Sequence, residues 1–207
     1  MGLYKNFVSQ TRKPEGVLGK MMLNGMNSGH AKVADWGMDH LNIEDAEAVL
    51  EIGCGGGRNA SELLKRYPGS HVTAVDYSDL SVEKASAYNK ESIAAGRCVC
   101  QQADVSSLPF GEAQFDLATA FETIYFWPGL KACFSEVCRV LKPGGVFLIV
   151  NESDGEDAAS QKFEKIIDGM KTYTKEQIEE ALTAAGFTKV RCDRHTSHPW
   201  LTVVAEK

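Results

Sequence analysis

No run of about 18 apolar residues occurs anywhere in the 207-residue sequence, so no helix is expected to span a membrane. The opening Met-Gly-Leu-Tyr-Lys-Asn begins no apolar core of signal-peptide length. It also lacks the Ser or Thr at its sixth position that an N-myristoylation signal requires. There is no internal repeat, no low-complexity segment and no Cys-x-x-Cys pair. Six cysteines stand at 54, 98, 100, 133, 138 and 192. Their number is even, but a chain of this size builds a core without disulfide staples. The expectation is a reduced, cytoplasmic protein. Positive charge is scarce as well: 22 Lys and Arg stand against 28 Asp and Glu, a net charge of −6. No general affinity for a nucleic-acid backbone follows from that balance. Residues 1–40 hold five of the basic and three of the acidic residues, an asymmetry too mild to make an anion-binding tail.

The rest of the composition is that of an ordinary globular chain, 43% hydrophobic and 24% charged. This excludes disorder, collagen and coiled coil. A chain of this length buries roughly 70% of its unfolded surface, enough for one sizeable core. Short apolar runs alternate with amphipathic stretches, the pattern of βαβ units around a parallel sheet. Strands are expected at 48–52, 71–76, 97–102, 115–121 and 145–151, and helices at about 57–67, 79–95 and 129–141. The last helix puts Leu130, Phe134, Val137, Val140 and Leu141 on one face. Lys142-Pro143-Gly144-Gly145 should stop it and turn into the next strand. Residues 14–41 read as two helices parted by Asn27-Ser28-Gly29, rich in Met and Trp. Thr174-x-x-Gln177 is a capping box for a helix that ends at Gly186. Residues 187–196 and 200–206 then read as an antiparallel hairpin. Five parallel strands closed by a hairpin make a seven-stranded mixed sheet.

The chemistry concentrates at three strand ends. Val49-Leu-Glu-Ile-Gly-Cys-Gly-Gly-Gly-Arg-Asn59 runs a buried strand through Gly53, Gly55, Gly56 and Gly57 into a helix. Such glycines let backbone approach a ligand and present N–H groups at a positive helix end. A dinucleotide fingerprint, GxGxxG, would need its third glycine at 58, which is Arg. The pattern is instead acid-x-Gly-x-Gly-x-Gly led by Glu51, whose burial requires a cation or amide donors. Asp76 ends the second strand, where a carboxylate meets the two hydroxyls of a ribose; the alternative is a cap for the next helix. Tyr77 follows, placed to cover an adenine face. Asp104 follows the third strand and either accepts an adenine amino group or forms a turn. All three lie where open α/β sheets bind ligands.

Together with Phe115-Asp-Leu-Ala-Thr-Ala-Phe-Glu-Thr-Ile-Tyr-Phe-Trp127 and Leu141-Lys-Pro-Gly-Gly145, these motifs make the chain resemble the class I S-adenosylmethionine-dependent methyltransferases. The likeness is to the group containing the ubiquinone/menaquinone-biosynthesis and many small-molecule enzymes, over about 45–207. It implies a Rossmann-like α/β fold with strand order 3-2-1-4-5-7-6, strand seven antiparallel, and helices on both faces. It implies S-adenosyl-L-methionine as cofactor, bound by a domain over 42–207, with 1–41 as a helical cap or lid. Gly53, Gly55 and Gly57 match the loop beneath the methionine part, and Glu51 the acid that orders that loop or meets the amino group. Asp76 matches the ribose ligand, Asp104 and the Val105 backbone the adenine ligands, and Phe121 a carbonyl that meets the amino group. Arg58 either meets the cofactor carboxylate or forms a surface ion pair.

Methyl transfer to carbon, oxygen or nitrogen requires no metal and no protein nucleophile, and none is assigned. An acceptor that loses a proton benefits from a base, for which Glu122, His30, His195 and His198 are candidates, Glu122 and His30 first. Tyr125 and Trp127, with Phe126, form either an acceptor pocket or a plain apolar cap. The acceptor expected is a small, partly apolar molecule. Residues after the fourth strand read Phe-Glu-Thr-Ile-Tyr-Phe, without the Asn/Asp-Pro-Pro-aromatic motif of nucleic-acid amino methylation. An NAD-dependent oxidoreductase and a non-methylating S-adenosylmethionine-binding protein remain the alternatives.

Overall fold

The computed structural model describes residues 8–207. The first seven residues of the expected 1–41 cap, and with them the failed myristoylation pattern, lie outside the described residues. Seven strands, β1 (Ala48–Ile52), β2 (His71–Asp76), β3 (Cys98–Gln102), β4 (Phe115–Phe121), β5 (Leu141–Asn151), β6 (Lys189–Arg194) and β7 (Leu201–Glu206), form one sheet. Its order is β3-β2-β1-β4-β5-β7-β6. β1 to β5 run parallel, and β7 is antiparallel to both β5 and β6. The chain therefore reverses its direction of winding between β1 and β4, which opens a crevice at their carboxyl ends.

Period-two alternation divides the strand side chains between two cores. Leu50, Ile52, Phe147 and Ile149 face one side, where they meet Phe134, Ile178 and Leu182. Val49, Val72, Leu117, Leu148 and Val150 face the other and meet Val33 and Leu63. The helices covering these faces are α1 (Gly16–Gly29), α2 (Ala31–Met38), α3 (Arg58–Arg66), α4 (Asp79–Tyr88), α5 (Lys90–Ala94), α6 (Leu130–Val140), α7 (Ala158–Glu164) and α8 (Lys175–Ala185). The capping box at Thr174 and Gln177 forms, and Gly186 closes α8 in the left-handed region.

Four local expectations are corrected. Residues 79–95 do not make one helix. Asn89 divides it because its side-chain amide donates to the Gly57 carbonyl (2.8 Å) and the Ala85 carbonyl (3.0 Å). Asn27-Ser28-Gly29 does not part the first two helices, since α1 runs through it and breaks at His30. Lys142–Gly145 is not a simple turn before β5. Leu141 already pairs with Phe115, the register shifts before Leu117–Val146, and the four residues bulge out between. The hydrogen bond from Gly144 N–H to the Lys207 carbonyl (3.1 Å) holds that bulge. Helix α7, over a stretch without a strong apolar period, was not expected; Asp157 caps it.

Helix α2 is pressed against the sheet at Gly37. A Cβ there would stand 2.2 Å from Val150 Cγ2 and 2.6 Å from Val150 Cγ1. Gly37→Ala therefore should lower stability by about 1–3 kcal/mol, the usual cost of overpacking. Thermal unfolding should show the loss, and Val150→Ala in the same chain should recover part of it.

Candidate functional site

The cavity in the crevice has a volume of about 280 Å³. Its floor is the glycine loop after β1, its sides the ends of β2, β3 and β4, and its roof α1 with residues 11–14. The loop folds because Gly53, Gly55 and Gly57 take φ of +80°, +49° and +83°, a region costly for side-chain-bearing residues. Space enforces it too. A Cβ on Gly53 would collide with Thr123 at 2.2 Å, and one on Gly56 with Asn27 at 2.4 Å. The loop leads directly into α3, whose first residues Arg58 and Asn59 line the cavity.

Asp76 is buried and lines the cavity. One carboxylate oxygen accepts the Gly55 N–H at 3.0 Å, the other the Ser78 N–H at 2.9 Å. Burial pushes its pKa up, and those donors pull it back. The cap of α4 is Ser78, whose hydroxyl accepts the Ser81 N–H, so Asp76 does not serve as that cap. Tyr77 is two-fifths exposed on the cavity rim, and its hydroxyl donates to the Arg12 carbonyl. Asp104 lines the cavity while accepting from the Ser106 N–H (2.8 Å) and hydroxyl (2.7 Å), so it is a turn former as well. Val105 and Phe121 line the same space. Arg58 also reaches it, but its guanidinium is held by the Asp35 carboxylate at 2.6 and 2.8 Å.

Glu51 and Gly57 are not on the cavity wall. Glu51 lies beneath the loop, 1% exposed, taking the Ala60 N–H at the start of α3 and leaving Oε2 without a partner. Gly57 turns the chain into α3 with its backbone against Ala85 and Asn89.

Leu23 packs over Gly55, and the side of the cavity next to β4 and β5 is apolar, with Met26, Val33, Phe126, Trp127 and Val150 in its lining. Glu122 and His30 are set into it. Glu122 has φ +59°, and its carboxylate accepts the Glu152 N–H. Burial raises its pKa well above the usual carboxylate range, and Glu152 adds to the rise. His30 Nε2 lies 3.6 Å from the Glu152 carboxylate; burial lowers its pKa against the pull of that neighbour. Tyr125, expected on the pocket wall, lies behind it. It is buried, its hydroxyl accepting the Ser153 N–H at 3.2 Å and donating to Glu122. His195 and His198 are not brought to the cavity. The β6–β7 hairpin carries them into an aromatic stack with Trp36 and Trp200.

Several cavity residues escape sequence reasoning: Asn27, whose amide donates to the Gly56 carbonyl at 3.2 Å, Thr123, which donates to the Ile52 carbonyl at 3.3 Å, and Arg12.

Comparison with known proteins agrees with this architecture. Residues 50–149 match the methyltransferase domain family. The sterol 24-C-methyltransferase ERG6B of Gibberella zeae is 31% identical over 157 residues, covering 72% of this chain and 41% of that protein. The chain thus spans less than half the length of the curated relatives it matches. Among solved structures, the methyltransferase bound to the Haloferax volcanii Trm112 activator superposes with a TM-score of 0.81 at 19% identity, covering 91% of this chain and 94% of that one. Geranyl diphosphate C-methyltransferase from Streptomyces coelicolor superposes at 0.73 with 16% identity, covering 85% and 75%. This chain carries a class I S-adenosylmethionine-dependent methyltransferase domain. Nothing in the comparisons supports a nicotinamide-dependent oxidoreductase.

Burial pushes the Glu51 carboxyl well above its ordinary value of 4.5, with Cys100 and Asp76 adding to the shift. The folded protein therefore keeps a proton that the unfolded chain releases, and stability falls as pH rises above about 4.5 toward the folded value. Glu51→Gln should remove that slope. Urea unfolding should find the variant more stable than the wild type at pH 8, with the difference vanishing or reversing near pH 4.

Proposed function

We propose that this domain transfers a methyl group from S-adenosylmethionine to a small, partly apolar acceptor by in-line displacement. The observation that carries the reading is the two-ended cavity, with a glycine loop and a buried aspartate at one end and an apolar wall bearing Glu122 and His30 at the other. The residues fit the cofactor. Asp76 lines the cavity at the end of β2, its oxygens fixed by the Gly55 and Ser78 N–H groups with Tyr77 and Ser81 also donating, which orients the carboxylate for the ribose hydroxyls. Gly53 and Gly55 present bare backbone to the methionine part, and Gly57 and Glu51 hold the loop's shape from behind. Tyr77 covers the adenine, which Asp104 and the Val105 backbone meet at its edge, and the Phe121 carbonyl meets the amino group. Arg58 stays with Asp35. The cofactor supplies a methyl already activated on a sulfonium, so the chain's own task is orientation.

The apolar wall takes the acceptor, with Trp127 in contact and Tyr125 orienting Glu122 from behind. Glu122 and His30 are the polar groups that meet an acceptor's polar atom and its proton. The sterol and geranyl diphosphate C-methyltransferases named above support an apolar acceptor. All six cysteines are free, which supports a reducing, cytoplasmic setting. Among the described residues no helix is long and apolar enough to cross a membrane.

The cap divides under this reading. Helix α2 belongs to the sheet layer, burying Val33, Ala34 and Met38. Residues 8–29 are the lid: α1 buries only Gly19 and Leu23 and exposes Val17 and Met21. A 280 Å³ cavity lies just below the roughly 300–1,000 Å³ range for single ligands, so cofactor and acceptor together require the lid to shift.

Two measurements test these assignments. Asp76→Ala removes charge-assisted bonds of about 1.5–3 kcal/mol each and should weaken S-adenosylhomocysteine at least about tenfold by calorimetry, with the fold intact by circular dichroism. Unchanged affinity would sink the ribose assignment. In hydrogen exchange, amides of 16–29 should exchange quickly in the free protein and slow with S-adenosylhomocysteine, while those of α2 stay protected throughout. Equal, strong protection of 16–29 in both states would mean a fixed element.

A further inference from the structure

We propose that His30, Glu122 and Glu152 form a divalent-cation site on the acceptor wall. The inference rests on reading that wall as the acceptor side and goes beyond it, assigning an ion and an acceptor that carries an oxygen donor. Three elements far apart in sequence converge here. His30 is the break between α1 and α2, Glu122 follows β4 and Glu152 follows β5. One ligand atom from each lies within 4.8 Å of the other two. That spacing lets a modest side-chain adjustment bring all three to metal–ligand distances of about 2.0–2.2 Å.

The surroundings suit a cation. Glu122 is a non-glycine residue at φ +59°, a conformation that turns its side chain toward His30 and Glu152. Its carboxylate is fixed by the Glu152 N–H and the Tyr125 hydroxyl, the kind of outer support that orients a metal ligand. Two carboxylates meet here, yet among the described residues no Lys or Arg pairs with either; His30 is the sole basic partner. One nitrogen and two carboxylate oxygens suit Mn²⁺, Fe²⁺ or Zn²⁺. His30 and Glu122 line the cavity, so the ion's remaining positions face the acceptor. An acceptor hydroxyl or enol held there would be oriented and made more acidic, releasing its proton to water.

The test needs no knowledge of the acceptor. The purified chain, stripped with a chelator and titrated with Mn²⁺, is followed by electron paramagnetic resonance and calorimetry. One Mn²⁺ per chain is expected. Glu152→Gln and, separately, His30→Gln should each weaken it at least tenfold. Glu62→Gln, on α3 outside the cluster, should leave it unchanged. Glu152 is half exposed, so its variant should keep the wild-type unfolding temperature, and His30→Gln is a second, independent probe. No binding by the wild type, or binding indifferent to both variants, overturns the site. S-adenosylhomocysteine affinity of the wild type is measured alongside. If it persists without Mn²⁺ binding, only the metal site fails, whereas its absence overturns the methyltransferase reading itself.

Discussion

One buried hydrogen bond holds the binding end of this sheet together: the Gly55 N–H on the Asp76 carboxylate, 3.0 Å long. It joins the loop after β1 to the end of β2, which are also linked by the strand ladder and by the Val75 carbonyl, which takes the N–H groups of Gly53 and Cys54. A buried carboxylate is costly unless donors face it, and here the donors are main-chain groups that exist only when the glycines adopt positive φ. Loop shape and aspartate burial therefore stabilise each other. Asn89 extends the arrangement by holding the Gly57 carbonyl from α4, so the break between α4 and α5 is part of the same construction.

The roof depends on the floor. Donors on the loop after β2 and on α1 meet main-chain carbonyls across the gap: Tyr77 to Arg12, Ser78 to Pro14, and Asn27 to Gly56. Main-chain acceptors place no demand on side-chain identity in the 12–14 segment, only on its path. Few and partly exposed, such bonds contribute about 0.5–1.5 kcal/mol each, small enough to break during opening without disturbing the sheet.

The strands were legible because β1, β2 and β4 are buried on both faces and read as apolar runs bounded by Gly or Asp. Gly53 and Gly55 after β1, Asp76 at the end of β2 and Asp104 after β3 were picked out by position and Phe121 by the family resemblance, and all five line the cavity. What escaped lies in contacts between distant segments. Thr123 and Ile52 are 71 positions apart, Asn27 and Gly56 are 29, and no local period encodes either pair. Tyr125 was misplaced for a related reason: the turn Ile124–Phe126 winds tightly, so neighbouring aromatic residues point to different sides, Phe126 to the cavity and Tyr125 to Ser153. The cluster of His30, Glu122 and Glu152 was half visible, since Glu152 gains meaning only when β4 and β5 lie side by side.

The two ends of the cavity differ in electrostatic character, and the difference orders the chemistry. At the cofactor end the Asp76 charge is met by backbone N–H groups, the Arg58 guanidinium is neutralised by Asp35, and the Arg12 guanidinium donates to the Asp168 carbonyl. At the acceptor end two carboxylates stand with a single imidazole, against an apolar wall. A low-dielectric wall strengthens whatever charge remains beside it. Burial raises the Glu122 pKa, so a positive charge entering this side of the cavity would favour its ionised form. The fold fixes the boundary between the two ends by reversing its winding between β1 and β4, because Gly53 and Thr123 then touch and no side chain fits between them. On the proposed reading, placement of the methyl would follow from sheet topology, and the choice of acceptor from the few side chains after β4 and β5.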